Sequence, residues 1–303
     1  MEGPRPGDGQ RMTAAADFAS GKGSDDENFP VASRLIQARH RGIILAFYAF
    51  ARAADDVADN AEAAPAEKLR VLEGMRATLL GKEASAKEAA ELRRHLLERG
   101  LPATHGLDLL EAFRRDVTKK RYANFDELMD YCRYSAMPVG RFVLDVHGEP
   151  VGLWPQNDAL CAALQVINHL QDCAKDYREL DRVYIPLDRL SAADVEVREL
   201  AGRSASAGLS SVLRGLAQET ASLLDRARPF ASLIRDPRLA MEVSVIQALA
   251  EDLNMRLMER DPLCDRVHHQ KSELLGIAAR AIARFGTRRV LSFGLFRALA
   301  GHS

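Results

Sequence analysis

From Val31 onward the apolar positions of this chain recur at three- and four-residue intervals. Alanine and leucine dominate, and alternating β-branched runs are missing. That period belongs to amphipathic helices and not to strands. It predicts helices near 31–39, 42–62, 66–80, 85–99, 104–116, 124–149, 157–178, 193–201, 208–230, 236–259, 270–284 and 289–300. Breaks are expected at Pro65, Gly81, Gly100-Leu101-Pro102, Pro150, Trp154-Pro155, Pro186, Pro237 and Pro262. Pro138 and Gly140 fall inside the helix expected over 124–149 and imply a kink, beside either an opening cavity or a local packing contact. The stretch Ala159–Ile167 is apolar nearly all round, which marks a buried helix. Residues 1–28 are rich in Gly, Pro, Ser and Asp and read as a flexible leader. No fixed-period repeat and no long linker divides the rest. The expectation is one all-α domain over residues 29–303.

Composition narrows the functional classes. With 42 basic and 43 acidic side chains the net charge is −1, so no global basic field favours nucleic acid. The cysteines Cys132, Cys161, Cys173 and Cys264 form no CxxC pair. That argues against a disulfide framework or a thiolate zinc site and fits a reducing cytosol. No secretory apolar region opens the chain, and no uncharged apolar run has the roughly 18 residues of a spanning helix. A cytoplasmic protein is expected, at most peripheral on the inner face of the membrane. The basic and bulky apolar stretch Arg288–Arg297 suits such a membrane contact, and equally a helix that closes the bundle. The sequence has no HExxH, GxGxxG, P-loop or G-x-S-x-G.

The chemistry lies in two aspartate patterns, Asp55-Asp56-Val57-Ala58-Asp59 and Asn168-His169-Leu170-Gln171-Asp172-Cys173-Ala174-Lys175-Asp176. Residues four apart on a helix lie roughly 6 Å apart along the axis and roughly 40° apart around it. Asp55 and Asp59 therefore share one face, and Asn168, Asp172 and Asp176 share another. Like charges at this spacing oppose helix formation, and buried aspartates need something to neutralise them. Lys175, Arg178 and Arg182 offer ion pairs, whereas divalent metal is the sharper alternative. Asn168 favours metal, because a salt-bridge ladder has no use for a neutral amide oxygen. Oxygen-only ligands suit Mg²⁺ completed by substrate phosphates. Arg52, on the face of Asp55, serves as a salt-bridge partner or a phosphate contact. Tyr48, Tyr134 and Tyr184 read as core aromatics, or as groups that hydrogen-bond a leaving group or offer a π face to a cation.

Together these motifs resemble the squalene/phytoene synthase family. The resemblance rests on Arg52 before Asp55-Asp56-x-x-Asp59, Tyr134-Ser135-Ala136-x-Pro138-Val139-Gly140, Asn168-x-x-x-Asp172-x-x-x-Asp176, and Arg182-Val183-Tyr184-Ile185-Pro186. Glu27-Asn28-Phe29-Pro30, Ala136-Met137-Pro138-Val139-Gly140-Arg141 and Asn168-His169-Leu170-Gln171-Asp172 look like its branch of bacterial hydroxysqualene synthases, which serve hopanoid biosynthesis. The resemblance implies a single-domain isoprenoid synthase helical bundle with a central cavity. It implies Mg²⁺ held by Asp55, Asp59, Asn168, Asp172 and Asp176, and a prenyl diphosphate substrate. Arg52, Arg182 and Tyr184 would contact the diphosphate, and Tyr48 and Tyr134 would line the cavity near it. The branch implies conversion of presqualene diphosphate and water to hydroxysqualene and pyrophosphate, with Tyr134 and Arg141 as candidates for orienting the water. An upstream presqualene diphosphate synthase is the partner so implied. Many family members carry a basic residue where this chain has Gln171, and the usual Ser-Phe pair near the N-terminus is replaced by Ala32-Ser33-Arg34-Leu35. Both departures count against condensation of two farnesyl diphosphates, which is the alternative reaction. A non-catalytic helical assembly factor of the same fold is a second alternative, disfavoured because all five ligand positions are intact.

Overall fold

The computed structural model describes residues 37–300, with side chains to Thr287. Among these residues the architecture is helical, and the only paired extended backbone is an isolated parallel bridge between Arg121 and Val183. The expected leader at 1–28 and the side chains of Arg288–Arg297 lie outside the described residues. Among the described residues no helix is long and apolar enough to cross a membrane.

Four helices form the first half: α1 (Ala38–Asp59), α2 (Pro65–Leu79), α3 (Lys87–Arg99) and α4 (Thr104–Thr118). On α1, Ile43, Ile44, Phe47, Phe50, Ala54 and Val57 recur at helical spacing and are buried together with Leu72, Met75, Leu92 and Leu109. The second half holds α5 (Phe125–Ser135), α6 (Met137–His147), α7 (Trp154–Gln171), α8 (Cys173–Leu180), α9 (Leu187–Ala192), α10 (Ala207–Ala227), α11 (Phe230–Leu233), α12 (Pro237–Glu259) and α13 (Lys271–Ala300). Its core centres on α7, which packs against α10, α12, α6 and α5. Phe142 of α6 belongs to the first core and stacks on Phe47 at 3.9 Å, so α6 joins the halves.

Prolines explain where several expected boundaries move. Pro65, Pro138, Pro155 and Pro237 each stand in the first turn of a helix. There the missing N–H has no helical partner to lose. The helix expected over 124–149 is therefore two helices, divided at Ala136 with φ −120° and ψ −47°. The helix expected over 157–178 begins earlier, at Trp154, and breaks at Asp172 with φ −102° and ψ 7°. The ladder persists through that break, since Asp172 N donates to Asn168 O at 2.9 Å and Asp176 N to Asp172 O at 2.8 Å. The three residues stay on one side of the chain. The stretch 193–201 holds only a short 3₁₀ turn, Val197–Ala201. The two helices expected at 270–284 and 289–300 are one.

Gly140 serves close approach. A β-carbon there would sit 2.0 Å from Asn157 Oδ1 and 2.7 Å from Cys161 Sγ, so α6 lies against α7 without a spacer. An open groove of about 1150 Å³ runs between α10, α12 and α13, lined in part by Val243, Ala248, Met255, Ile277 and Phe285. The residues that line it include neither aspartate motif.

Candidate active site

The last two turns of α1 carry the first motif to the seam between the halves. Arg52 reaches forward along its own helix, with Nη1 2.9 Å from Asp55 Oδ2 and Nη2 2.8 Å from Asp56 Oδ1. Asp56 is buried, while Asp55 and Asp59 are half-buried. Burial pushes the Asp55 carboxyl up to about 7, and the neighbouring Asp59 adds to the shift. Across the seam, burial followed by the charges of Asp172 and Asp59 pushes Asp176 up to about 7 as well. Asp59 thus acts on both motifs, so the end of α1 lies near Asp176 of α8.

A buried cation stands between them. The guanidinium of Arg182 pairs with Asp59, and its Nη2 donates to Ala58 O at 3.1 Å. Its Nε donates to Asp116 O at 3.2 Å. Asp116, near the end of α4, is itself buried and accepts from Tyr131 OH at 2.8 Å and Tyr184 OH at 2.9 Å. Burial raises the Asp116 carboxyl to about 6, against the opposing pull of Arg182 and both tyrosines. Tyr122 stacks near Tyr184 with centroids 5.5 Å apart, and His169 stacks on its ring at 3.6 Å. Lys68 of α2 donates to Ala58 O at 3.1 Å, beside the same Arg182. The extended backbone at Val183, whose N–H donates to Lys120 O at 2.9 Å, sets this arrangement. Arg182 and Tyr184 are two residues apart, and alternate residues of an extended segment share a side. Both therefore turn toward Asp116.

A family model described as squalene/phytoene synthase matches residues 23–273. The chain belongs to the squalene/phytoene synthase family. It is 56% identical to the hydroxysqualene synthase of Zymomonas mobilis, over 90% of this chain and 92% of that one. It is 53% identical to the hydroxysqualene synthase of Rhodopseudomonas palustris, over 93% and 96%. The crystal structure of a squalene synthase from Alicyclobacillus acidocaldarius superposes with a TM-score of 0.67 at 29% identity, over 80% of this chain and 92% of that one. As a family member at this identity, the chain is an isoprenoid diphosphate-processing enzyme.

The squalene/phytoene synthase motifs do not all converge. Asp55, Asp59, Asp176 and Arg182 come together at the seam, with Tyr184 behind Arg182. Asn168 and Asp172 stand half-buried on the same side of α7, and His268 lies 3.8 Å from Asp172. Tyr48 is half-buried on α1, one turn before Arg52. Arg141 is not brought to the carboxylates. It pairs with Asp158 through both oxygens and lies 4.5 Å from the Trp154 ring. Asp158 precedes Asp172 by about 21 Å of helix. Tyr134 is covered by the guanidinium of Arg115 at 4.2 Å. The tyrosine of α5 that faces the Asp116 cluster is Tyr131, three residues earlier. Arg178 donates to the carbonyls of Ala201 and Gly202.

The squalene/phytoene synthase family is divalent-metal dependent, and the residues present fit such an ion. Among the described residues no three acidic, histidine or cysteine side chains form a ready-made cage. A Mg²⁺ site needs only one or two carboxylates, with waters and substrate phosphates completing it. The donors are all oxygen, and Asp55 and Asp176, raised to about 7 by burial first and by neighbouring aspartates second, are carboxyls that a bound cation would favour in the charged form.

Proposed function

We propose that this enzyme converts presqualene diphosphate and water to hydroxysqualene and pyrophosphate, within squalene and hopanoid biosynthesis. The observation that carries the reading is the facing pair of carboxylate motifs with Arg182 between them. The extensive identity to two hydroxysqualene synthases supports it. Asp55, Asp59, Asn168, Asp172 and Asp176 would hold Mg²⁺, which when bound supplies Lewis-acid polarisation of the leaving diphosphate. Arg52 and Arg182 stabilise the negative charge that builds as the C–O bond breaks. Tyr131, Tyr184 and Tyr122 form a buried aromatic wall behind Arg182 that keeps bulk water away. Their phenols are held as donors, because burial keeps Tyr131 and Tyr184 well above the usual range. Presqualene diphosphate would come from an upstream synthase.

The test is product analysis after incubation with presqualene diphosphate and Mg²⁺ in oxygen-labelled water, without nicotinamide. A labelled alcohol is expected. Its absence, with turnover of farnesyl diphosphate instead, would overturn the reading.

The squalene synthase name of the Alicyclobacillus structure favours a second reading, condensation of two farnesyl diphosphates. Pyrophosphate release from farnesyl diphosphate alone would separate the two.

A further inference from the structure

His169 lies inside the second motif but is not one of its oxygen donors. The ring is buried, stacked on Tyr184 at 3.6 Å with 13° between planes, and 6.0 Å from Tyr131. One turn earlier on α7, the amide of Gln165 meets it, with Gln165 Nε2 3.1 Å from His169 Nε2. The other ring nitrogen, Nδ1, faces Asp176 Oδ2 at 4.0 Å.

An amide nitrogen can only donate, so the contact makes His169 Nε2 the acceptor. The amide N–H of Gln165 donates to Nε2, which leaves the ring proton on Nδ1, on the side of Asp176. That bond fixes which way the amide points. It leaves Gln165 Oε1 as a preset acceptor on a half-buried side chain, on the helix face of Asn168 and Asp172. An amide oxygen held in this way can take a hydrogen bond from a water and aim its lone pair. It carries no charge that would collapse onto a carbocation.

We propose that His169 and Gln165 form the water-positioning device of this site. Gln165 Oε1 holds the water that ends the reaction, and His169 is the positioning residue that sets the amide. The proposal rests on the hydrating reading given above. In that reaction the carbon–oxygen bond to diphosphate breaks, and its electron pair leaves with pyrophosphate. The cation rearranges as a cyclopropane carbon–carbon bond shifts onto the first cationic carbon and the ring opens, and a lone pair of the water oxygen forms the new carbon–oxygen bond at the carbon left electron-poor. The surplus proton passes from the oxonium to a pyrophosphate oxygen, and nothing is oxidised or reduced.

The experiment compares wild type with His169→Phe, Gln165→Leu and Gln165→Glu on presqualene diphosphate and Mg²⁺. Total pyrophosphate released and the fraction of product that is labelled alcohol are both read. His169→Phe keeps a flat ring against Tyr184 and removes the acceptor. Both His169→Phe and Gln165→Leu should still release pyrophosphate, while the alcohol fraction falls about 10-fold or more as the cation loses a proton instead. Gln165→Glu, which keeps an acceptor oxygen but loses the N–H that sets it and adds a charge, should restore little of that fraction. An unchanged alcohol fraction in Gln165→Leu overturns the proposal. So does a collapse of pyrophosphate release at constant alcohol fraction, which would assign the pair to support of Asp176. A wild type that releases pyrophosphate but makes no alcohol sinks the hydrating reading itself.

Discussion

Arg182 and Asp59, 123 positions apart in the chain, meet as an ion pair that ties the last turn of α1 to the segment behind α8. One planar guanidinium serves Asp59, the Ala58 carbonyl and the Asp116 carbonyl together. Removing it leaves Asp59 and buried Asp116 without their shared cation. Arg182→Gln should lower unfolding free energy by about 2–4 kcal/mol, read from urea midpoints. Arg182→Lys should recover little, because an ammonium cannot span three acceptors. Full stability in the lysine variant would show that charge alone matters there.

Asp55 and Asp176 predict how a divalent ion and pH interact. Both carboxyls are raised from 3.8 to about 7. The folded chain then binds their protons more tightly than the unfolded chain. Their contribution to stability is greatest below about pH 4 and is lost as pH rises through about 7. A divalent ion competes with those protons. Melting temperature measured with Mg²⁺ and pyrophosphate should rise strongly at pH 8 and little at pH 5. Equal gains at both values would mean that these carboxylates do not hold the ion. Asp59→Asn and Asp176→Asn should each abolish most of the gain at pH 8.

The two aspartate motifs were legible because their spacing is periodic and repeats within one chain. The rest of the site was not. Asp116 is a single acid at the end of an ordinary amphipathic helix, and only the tertiary fold brings Tyr131, Tyr184 and Arg182 onto it. Tyr131 and Tyr134 are three residues apart on α5, so helical phase barely separates them. Burial does, and burial depends on what packs against the helix. The break at Asp172 has no Gly or Pro to announce it. Pro138 gave a true signal of interruption, but a proline that kinks one helix and a proline that begins the next look alike in sequence.

Asp116 has its own pH signature. Its carboxyl is raised to about 6, so its contribution fades as pH climbs from about 4 through 6. Asp116→Asn keeps one acceptor oxygen and turns an NH₂ toward the second tyrosine hydroxyl. The expected cost is about 1–2 kcal/mol at pH 5. Urea midpoints of the variant should also vary less between pH 4 and 6 than those of wild type. Parallel pH curves would place the titration elsewhere.

Gly140 tests the contact between α6 and α7. A methyl group there meets Asn157 Oδ1 at 2.0 Å, and the helix backbone cannot swing away freely. Gly140→Ala should cost about 1–3 kcal/mol. The cost should appear as a lower melting temperature in calorimetry, although alanine is the better helix former. A stabilised variant would show that Asn157 moves aside without penalty.

The short extended stretch Arg182-Val183-Tyr184 works as a phase lock. Its cation and its aromatic ring face the carboxylates only because one residue separates them, with Val183 bridged to Arg121 at the centre. Exchange of side chains in this stretch alters the strength of the site, whereas a single insertion or deletion turns one of the two outward. Natural variation in loop length should therefore fall on either side of these three positions and spare the stretch itself.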